Sequence, residues 1–126
     1  MGALTDLGLT TGDGSIMVIS APDSVLAEAG AMKPRPSFAS TLLTAEPASR
    51  IVWWPEKRHM DAGTLRRLAW MVESGGAVAW LVIDPAEEES PRGEELRAAV
   101  AAVGMAVAEK RDIGRGEVAF RVTLVG

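Results

Sequence analysis

The sequence predicts one α/β domain over residues 1–126, a three-layer sandwich around a mostly parallel sheet of about six strands with an antiparallel hairpin at its C-terminal end. Three observations predict it. Ser15 to Ser20, Arg50 to Trp54 and Ala77 to Ile83 are short runs, apolar at consecutive positions, as in strands covered on both faces. Between the last two, Leu65, Leu68, Ala69 and Val72 recur at i, i+3, i+4 and i+7, the period of one helical face. The tail alternates, with Val118, Phe120, Val122 and Leu124 set against Ala119, Arg121 and Thr123, which puts one face on a core. Of 126 residues 48% are apolar, enough for one core and too few for two.

In chain order, residues 4–9 predict a short helix or arm and residues 11–14 a turn before the first strand. Pro22-Asp23-Ser24 opens a helix with Val25, Leu26 and Ala29 on one side, and Gly30 is the expected stop. After a loop containing two prolines, residues 38–44 predict a strand at the sheet edge. Pro55 ends the strand Arg50 to Trp54 by removing a ladder donor. Asp61 is the expected N-cap of the helix that Gly75-Gly76 closes. A polar, acidic loop from Asp84 to Gly93 leads to a helix from Glu94 to Val103 that buries Leu96, Ala99, Val100 and Val103. Met105 to Arg111 and Glu117 to Val125 then pair across Ile113-Gly114-Arg115-Gly116.

Composition removes several functions. With no cysteine there is no disulfide, thiolate metal site or cysteine nucleophile, and His59, the single histidine, excludes metal sites that need two. Thirteen basic against 17 acidic residues give −4, and the basic cluster of Lys57, Arg58, Arg66 and Arg67 is small, so nucleic acid is not an expected partner. Ser20, Ser24 and Ser90 lack the context of a nucleophile elbow, and Gly12-Asp13-Gly14 precedes a strand, where a phosphate loop would follow one. The acidic run Glu87-Glu88-Glu89 reads as a solvated loop. The first six residues lack the basic and apolar regions of a signal peptide, and the longest apolar run, Ala77 to Ile83, is strand length, so a soluble cytoplasmic protein is expected, with no membrane association.

Residues 50–125 resemble the C-terminal half of class I methyltransferases: a strand (RIVWW), a helix ending in Gly-Gly, a buried strand (AVAWLVI), a helix and a final hairpin. In that arrangement the last strand is inserted and the one before it forms the edge. The whole chain also resembles a family of short bacterial proteins of unknown function, through Leu7-Gly8-Leu9, Ile51-Val52-Trp53-Trp54 and Gly76 to Leu81. That resemblance implies a shortened, Rossmann-like methyltransferase fold and brings no catalytic residues with it. The chain departs from true methyltransferases at the first strand's turn, which is Ile19-Ser20-Ala21-Pro22-Asp23-Ser24 and holds none of their glycines. Glu46 stands as the candidate for the acid that ends their second strand.

Ligands of open α/β sheets bind beyond the carboxyl ends of the strands. This brings Asp23, Trp54, His59 and Asp84 forward as ligand-binding residues, with Glu56, Lys57, Arg58 and Glu87 in the same loops. Trp53 and Trp54 are adjacent in a strand and so face opposite ways, and Trp80 belongs to the core. Arg66, Arg67 and Trp70 fall on the flank of their helix and form a candidate partner surface, since Trp and Arg are enriched at binding hot spots. The expected function is a non-catalytic domain on a degenerate methyltransferase-like fold, acting through a protein partner or self-association, with no catalytic residue, metal or cofactor. The alternative is a small-molecule-binding enzyme, such as a divergent S-adenosylmethionine-dependent methyltransferase.

Overall fold

The computed structural model describes residues 3–9, 14–33, 35–113 and 116–125. The elements are α1 (Ala3–Asp6), β1 (Ile16–Ile19), α2 (Asp23–Gly30), β2 (Ser37–Ala39), β3 (Arg50–Trp53), α3 (Ala62–Gly75), β4 (Val78–Ile83), α4 (Gly93–Ala101), β5 (Met105–Ile113) and β6 (Glu117–Leu124). They build one six-stranded sheet in the order β2-β1-β3-β4-β6-β5. The first four strands are parallel, and β6 runs antiparallel to both β4 and β5. The last strand is therefore inserted and β5 forms the edge.

Because successive side chains leave a strand on opposite sides, the register sorts the apolar residues into two cores. Ile19, Trp53, Leu81 and Phe120 stand in one row across four strands, on one face. They pack under Leu65, Leu68 and Met71 of α3 and Leu96 and Val100 of α4. Val18, Val52 and Trp80 form a row on the other face, where Trp54, Val82 and Ala119 join Leu4, Leu7, Leu9 and, from α2, Val25 and Ala29. Trp53 and Trp54 thus lie in different cores, both buried.

Asp61 caps α3, its Oδ1 accepting from the Thr64 amide at 2.9 Å, and Gly76 ends that helix at φ +61°. The bond from the Thr64 amide holds the Asp61 carboxyl below its ordinary pKa.

The structure differs from the sequence expectations in several places. The strand predicted over 38–44 is β2 alone, and Leu42–Thr44 forms a 3-10 turn. Thr41 caps the turn, and its Leu42 joins the core under α3. Gly30 does not stop α2 by a left-handed turn, since Ala31 after it is right-handed. α4 starts one residue early and ends at Ala101, because Gly104 at φ +82° turns the chain into β5. Ala119 is fully buried, since its face of β6 packs into the second core with Trp80 and Val82. The turn expected at 11–14 lies outside the described residues except for Gly14, as do Gly114 and Arg115 of the hairpin turn.

Candidate functional site

The strand order reverses between β1 and β3, since the chain leaves β1 toward β2 and returns on its other side. At the carboxyl ends of these strands and β4 lies an open cleft of about 340 Å3. β1 leads into it with Ser20 and Pro22, β3 with Trp54, Pro55 and Glu56, and the loop after β4 with Asp84, Glu87, Glu89 and Ser90. The loops are braced: the Lys57 amide donates to the Glu89 carbonyl at 2.7 Å, and the Asp84 amide to Ser90 Oγ at 3.0 Å.

The turn after β1 is unusual. Ser20 has φ +55°, the only non-glycine residue with a positive φ among those described. Glycine takes this conformation at little steric cost, whereas a side chain adds strain. Two hydrogen bonds hold Ser20 there, its amide donating to Ala39 O at 3.0 Å and its Oγ to Ser40 O at 2.7 Å. Pro22 follows at the N-cap of α2, where it offers neither an amide hydrogen nor a capping side chain.

Trp54 forms a wall of the cleft. It is 9% exposed, and its Nε1 donates to Glu117 Oε2 at 2.9 Å. Glu117 is itself buried, and it enters from the start of β6. Sequence reading missed it, because Glu117 stands 63 residues from Trp54 and only the insertion of β6 beside β4 brings them together. The one local signal was a carboxylate opening a strand whose next three residues are apolar. Among the described residues the cleft lining holds five carboxylates (Glu56, Asp84, Glu87, Glu89 and Glu117) and no lysine or arginine.

Of the four residues expected to bind ligand, Trp54 and Asp84 share this cleft. His59 lies in the 3-10 turn Lys57–His59 and lines a neighbouring groove with Phe38, Ser40 and Thr41. Asp23 is exposed at the start of α2 and lines neither. Glu46 does not end β2: that strand stops at Ala39, and Glu46 follows the 3-10 turn, exposed. On α3, Trp70 is 47% exposed and Arg66 is exposed. Arg67 is half-buried and tied down, donating to the Leu42 and Ala45 carbonyls at 3.3 and 2.7 Å while its guanidinium lies 5.5 Å from the Trp70 ring centroid. Among the described residues no group of three or more His, Asp or Glu side chains is arranged to hold a metal ion. No helix among them is long and apolar enough to cross a membrane.

No family model and no curated protein matches the sequence. Solved structures do match the fold. The magnesium protoporphyrin IX methyltransferase ChlM from Synechocystis PCC 6803, with bound SAM, aligns at TM-score 0.53 and 10% identity over 86% of this chain and 58% of its own. The mitomycin 7-O-methyltransferase MmcR aligns at 0.52 and 12%, over 97% of this chain and 54% of its own. The chain has a class I methyltransferase-like fold. OxaC aligns as well, at 0.52 and 12% over 87% of this chain and 36% of its own. The chain thus spans between about a third and three-fifths of the length of these methyltransferase-like neighbours, and at such identities the likeness is one of fold.

Proposed function

We propose that this chain is a non-catalytic binding domain on the methyltransferase-like fold, with the strand-end cleft as its binding place. The observation that carries the reading is the pairing of an open cleft with a rebuilt first turn. The cleft stays open where open α/β sheets take their ligands, and its volume is within the range of small-molecule sites. Yet Ser20 and Pro22 occupy the turn where methyltransferases use glycine to let backbone amides reach the cofactor. Neither Ser40 nor Thr41, which follow β2, offers a carboxylate for ribose hydroxyls. Five carboxylates in the described lining, of which Glu56 is paired with Arg58, favour a cationic ligand. The exposed Trp70 beside Arg66 supports a protein partner or a second copy as a further occupant of the surface.

A second reading, a divergent S-adenosylmethionine-dependent methyltransferase, is favoured by the open cleft and by the named neighbours, one of them holding SAM. Calorimetric titration with S-adenosylmethionine and S-adenosylhomocysteine separates the two. The first reading expects no heat from folded protein. Micromolar binding that Asp84→Asn weakens would establish the second.

A further inference from the structure

The two edges of the sheet, β2 and β5, differ in kind. β5 is nine residues long, carries Glu109, Lys110, Arg111 and Asp112 in succession, and has a register shift between Val107 and Glu109. Charge and irregularity of this sort discourage a further strand. β2 has no charge: it is Ser37, Phe38 and Ala39, and Phe38 is 45% exposed.

The ladder fixes which backbone groups of β2 are in use. The Ala39 carbonyl accepts from the Ser20 amide, so Ala39 turns its backbone groups toward β1. Phe38, one residue back, therefore points its amide and carbonyl out from the sheet. It stands beside Val18, which puts its ring on the face that α2 covers, and with Leu26 of α2, also exposed, it lines a groove of about 480 Å3. An outward donor and acceptor next to two exposed apolar side chains suit an added strand, which bonds through its backbone and seats a side chain in the groove.

Charge selects the occupant. Lys33 and Arg35 lead into β2, both exposed, and neither forms an ion pair among the described residues. Arg58 lines the groove beyond the other end of the strand, with Ser40 and Thr41, and its side chain is 74% exposed although it pairs with Glu56. A second copy, paired about a two-fold axis at Phe38, would set Arg35 opposite the other copy's Thr41, in the groove that Arg58 lines, so like charges would meet twice. A segment with acidic ends meets cations at both.

We propose that the edge of β2 binds an extended acidic peptide of another protein, with an apolar side chain seated at Phe38 and Leu26 and its carboxylates toward Lys33, Arg35 and Arg58. The three-residue strand and Pro36 before it limit the pairing to a short segment.

The test is an amide-resolved NMR titration of the full chain with the end-blocked heptapeptide Asp-Glu-Val-Leu-Val-Glu-Asp. Saturable shifts centred on Ser37, Phe38 and Ala39 are expected. The same peptide with lysine for each acid, or N-methylated at its three central residues, is expected to bind weaker by about tenfold or more, the first for its charge and the second for its missing donors. Lys33→Glu combined with Arg35→Glu is expected to turn the preference toward the lysine peptide. Phe38→Thr, an exposed change to a residue that suits a strand, is expected to weaken binding severalfold in folded protein. Lys110→Gln on the opposite edge is the control, expected to change nothing. Absent or unsaturable shifts, equal binding of the N-methylated peptide, or a preference that the double charge reversal leaves unchanged would overturn the proposal. So would shifts in β2 on concentrating the protein alone, which would make a second copy the occupant. Among the described residues none of β2 lines the acidic cleft, so that failure would leave the reading of the cleft untouched.

Discussion

The two faces of the sheet are covered by different means. Over one lie α3 and α4, 14 and nine residues long, whose buried side chains interlock with Ile51, Trp53, Leu81 and Phe120. Over the other lie α1 and α2, four and eight residues long. There part of the cover is polar: the Arg111 guanidinium stacks 5.0 Å from the Trp80 ring centroid, and Glu109 accepts from both Arg111 and Arg121. The acidic cleft opens on this thinner face, lined by Trp54 and Val82, while a second cavity of mixed charge, which shares Glu87 with it, opens on the helix-covered face at Ile83 and Phe120. One side is thus closed by long helices packed on apolar side chains, whereas the other, though it has an apolar core of its own, keeps polar groups beside a ligand-sized opening.

The adjacent tryptophans are the sharpest test of that division. Trp53→Ala empties a site with no exposure in the helix-covered core and should cost about 3–5 kcal/mol in urea unfolding. Trp54→Phe, one residue on, keeps most of the apolar volume but takes the indole donor from the buried carboxylate of Glu117. It should cost about 1–3 kcal/mol. Equal losses at the two positions would break the comparison.

Smaller still is the expected effect of Arg111→Ala, which removes a partly exposed ion pair and the stack on Trp80. A loss of about 1 kcal/mol or less is expected, reduced further by salt. A loss as large as that of Trp53→Ala would show that the polar cover carries the fold.

The smallest effect concerns pH. Asp61 on the helix-covered side and Glu109 on the thin side both have lowered pKa values, the first through the Thr64 amide, the second through its hydrogen bond from Arg111. A carboxyl whose folded pKa is depressed contributes stability above its unfolded pKa, and that contribution is lost as pH falls through the folded value. The melting temperatures of wild type and Asp61→Ala should therefore differ at pH 6, begin to approach each other near the ordinary aspartate pKa of about 3.9, and meet only below the lowered folded value. A gap that stays constant to pH 2.5 would mean that the cap acts through something other than the carboxylate.

Much of the fold was legible because its signals are local. The run from Ala77 to Ile83 reads as a strand, Asp61 as a cap and Gly76 as a stop, since each follows from the conformational demands of a few neighbouring residues. The run over 38–44 misled for a related reason: its composition suits a strand, but after Ala39 the chain must cross β1 to reach β3, and Thr41 turns it into a 3-10 segment instead. The site was less legible. Trp54 and Asp84 follow strands whose ends meet, so the rule of strand ends reaches them. Asp23 follows a strand too, yet the left-handed Ser20 and Pro22 come between, and it is they that line the cleft.

The sequence by itself determined the type of each main element and which of two adjacent side chains faces which core, because side-chain direction alternates within a strand whatever the strand pairs with. Only the tertiary structure decided which strands are neighbours. That choice set Glu117 against Trp54, tied Arg67 to the Leu42 turn instead of leaving it on a free flank, and gathered the loop carboxylates at the strand-end cleft. The physical reason is that pairing β4 with β6 joins segments about 40 residues apart through long-range packing and ladder bonds, for which no short stretch of sequence carries a signature.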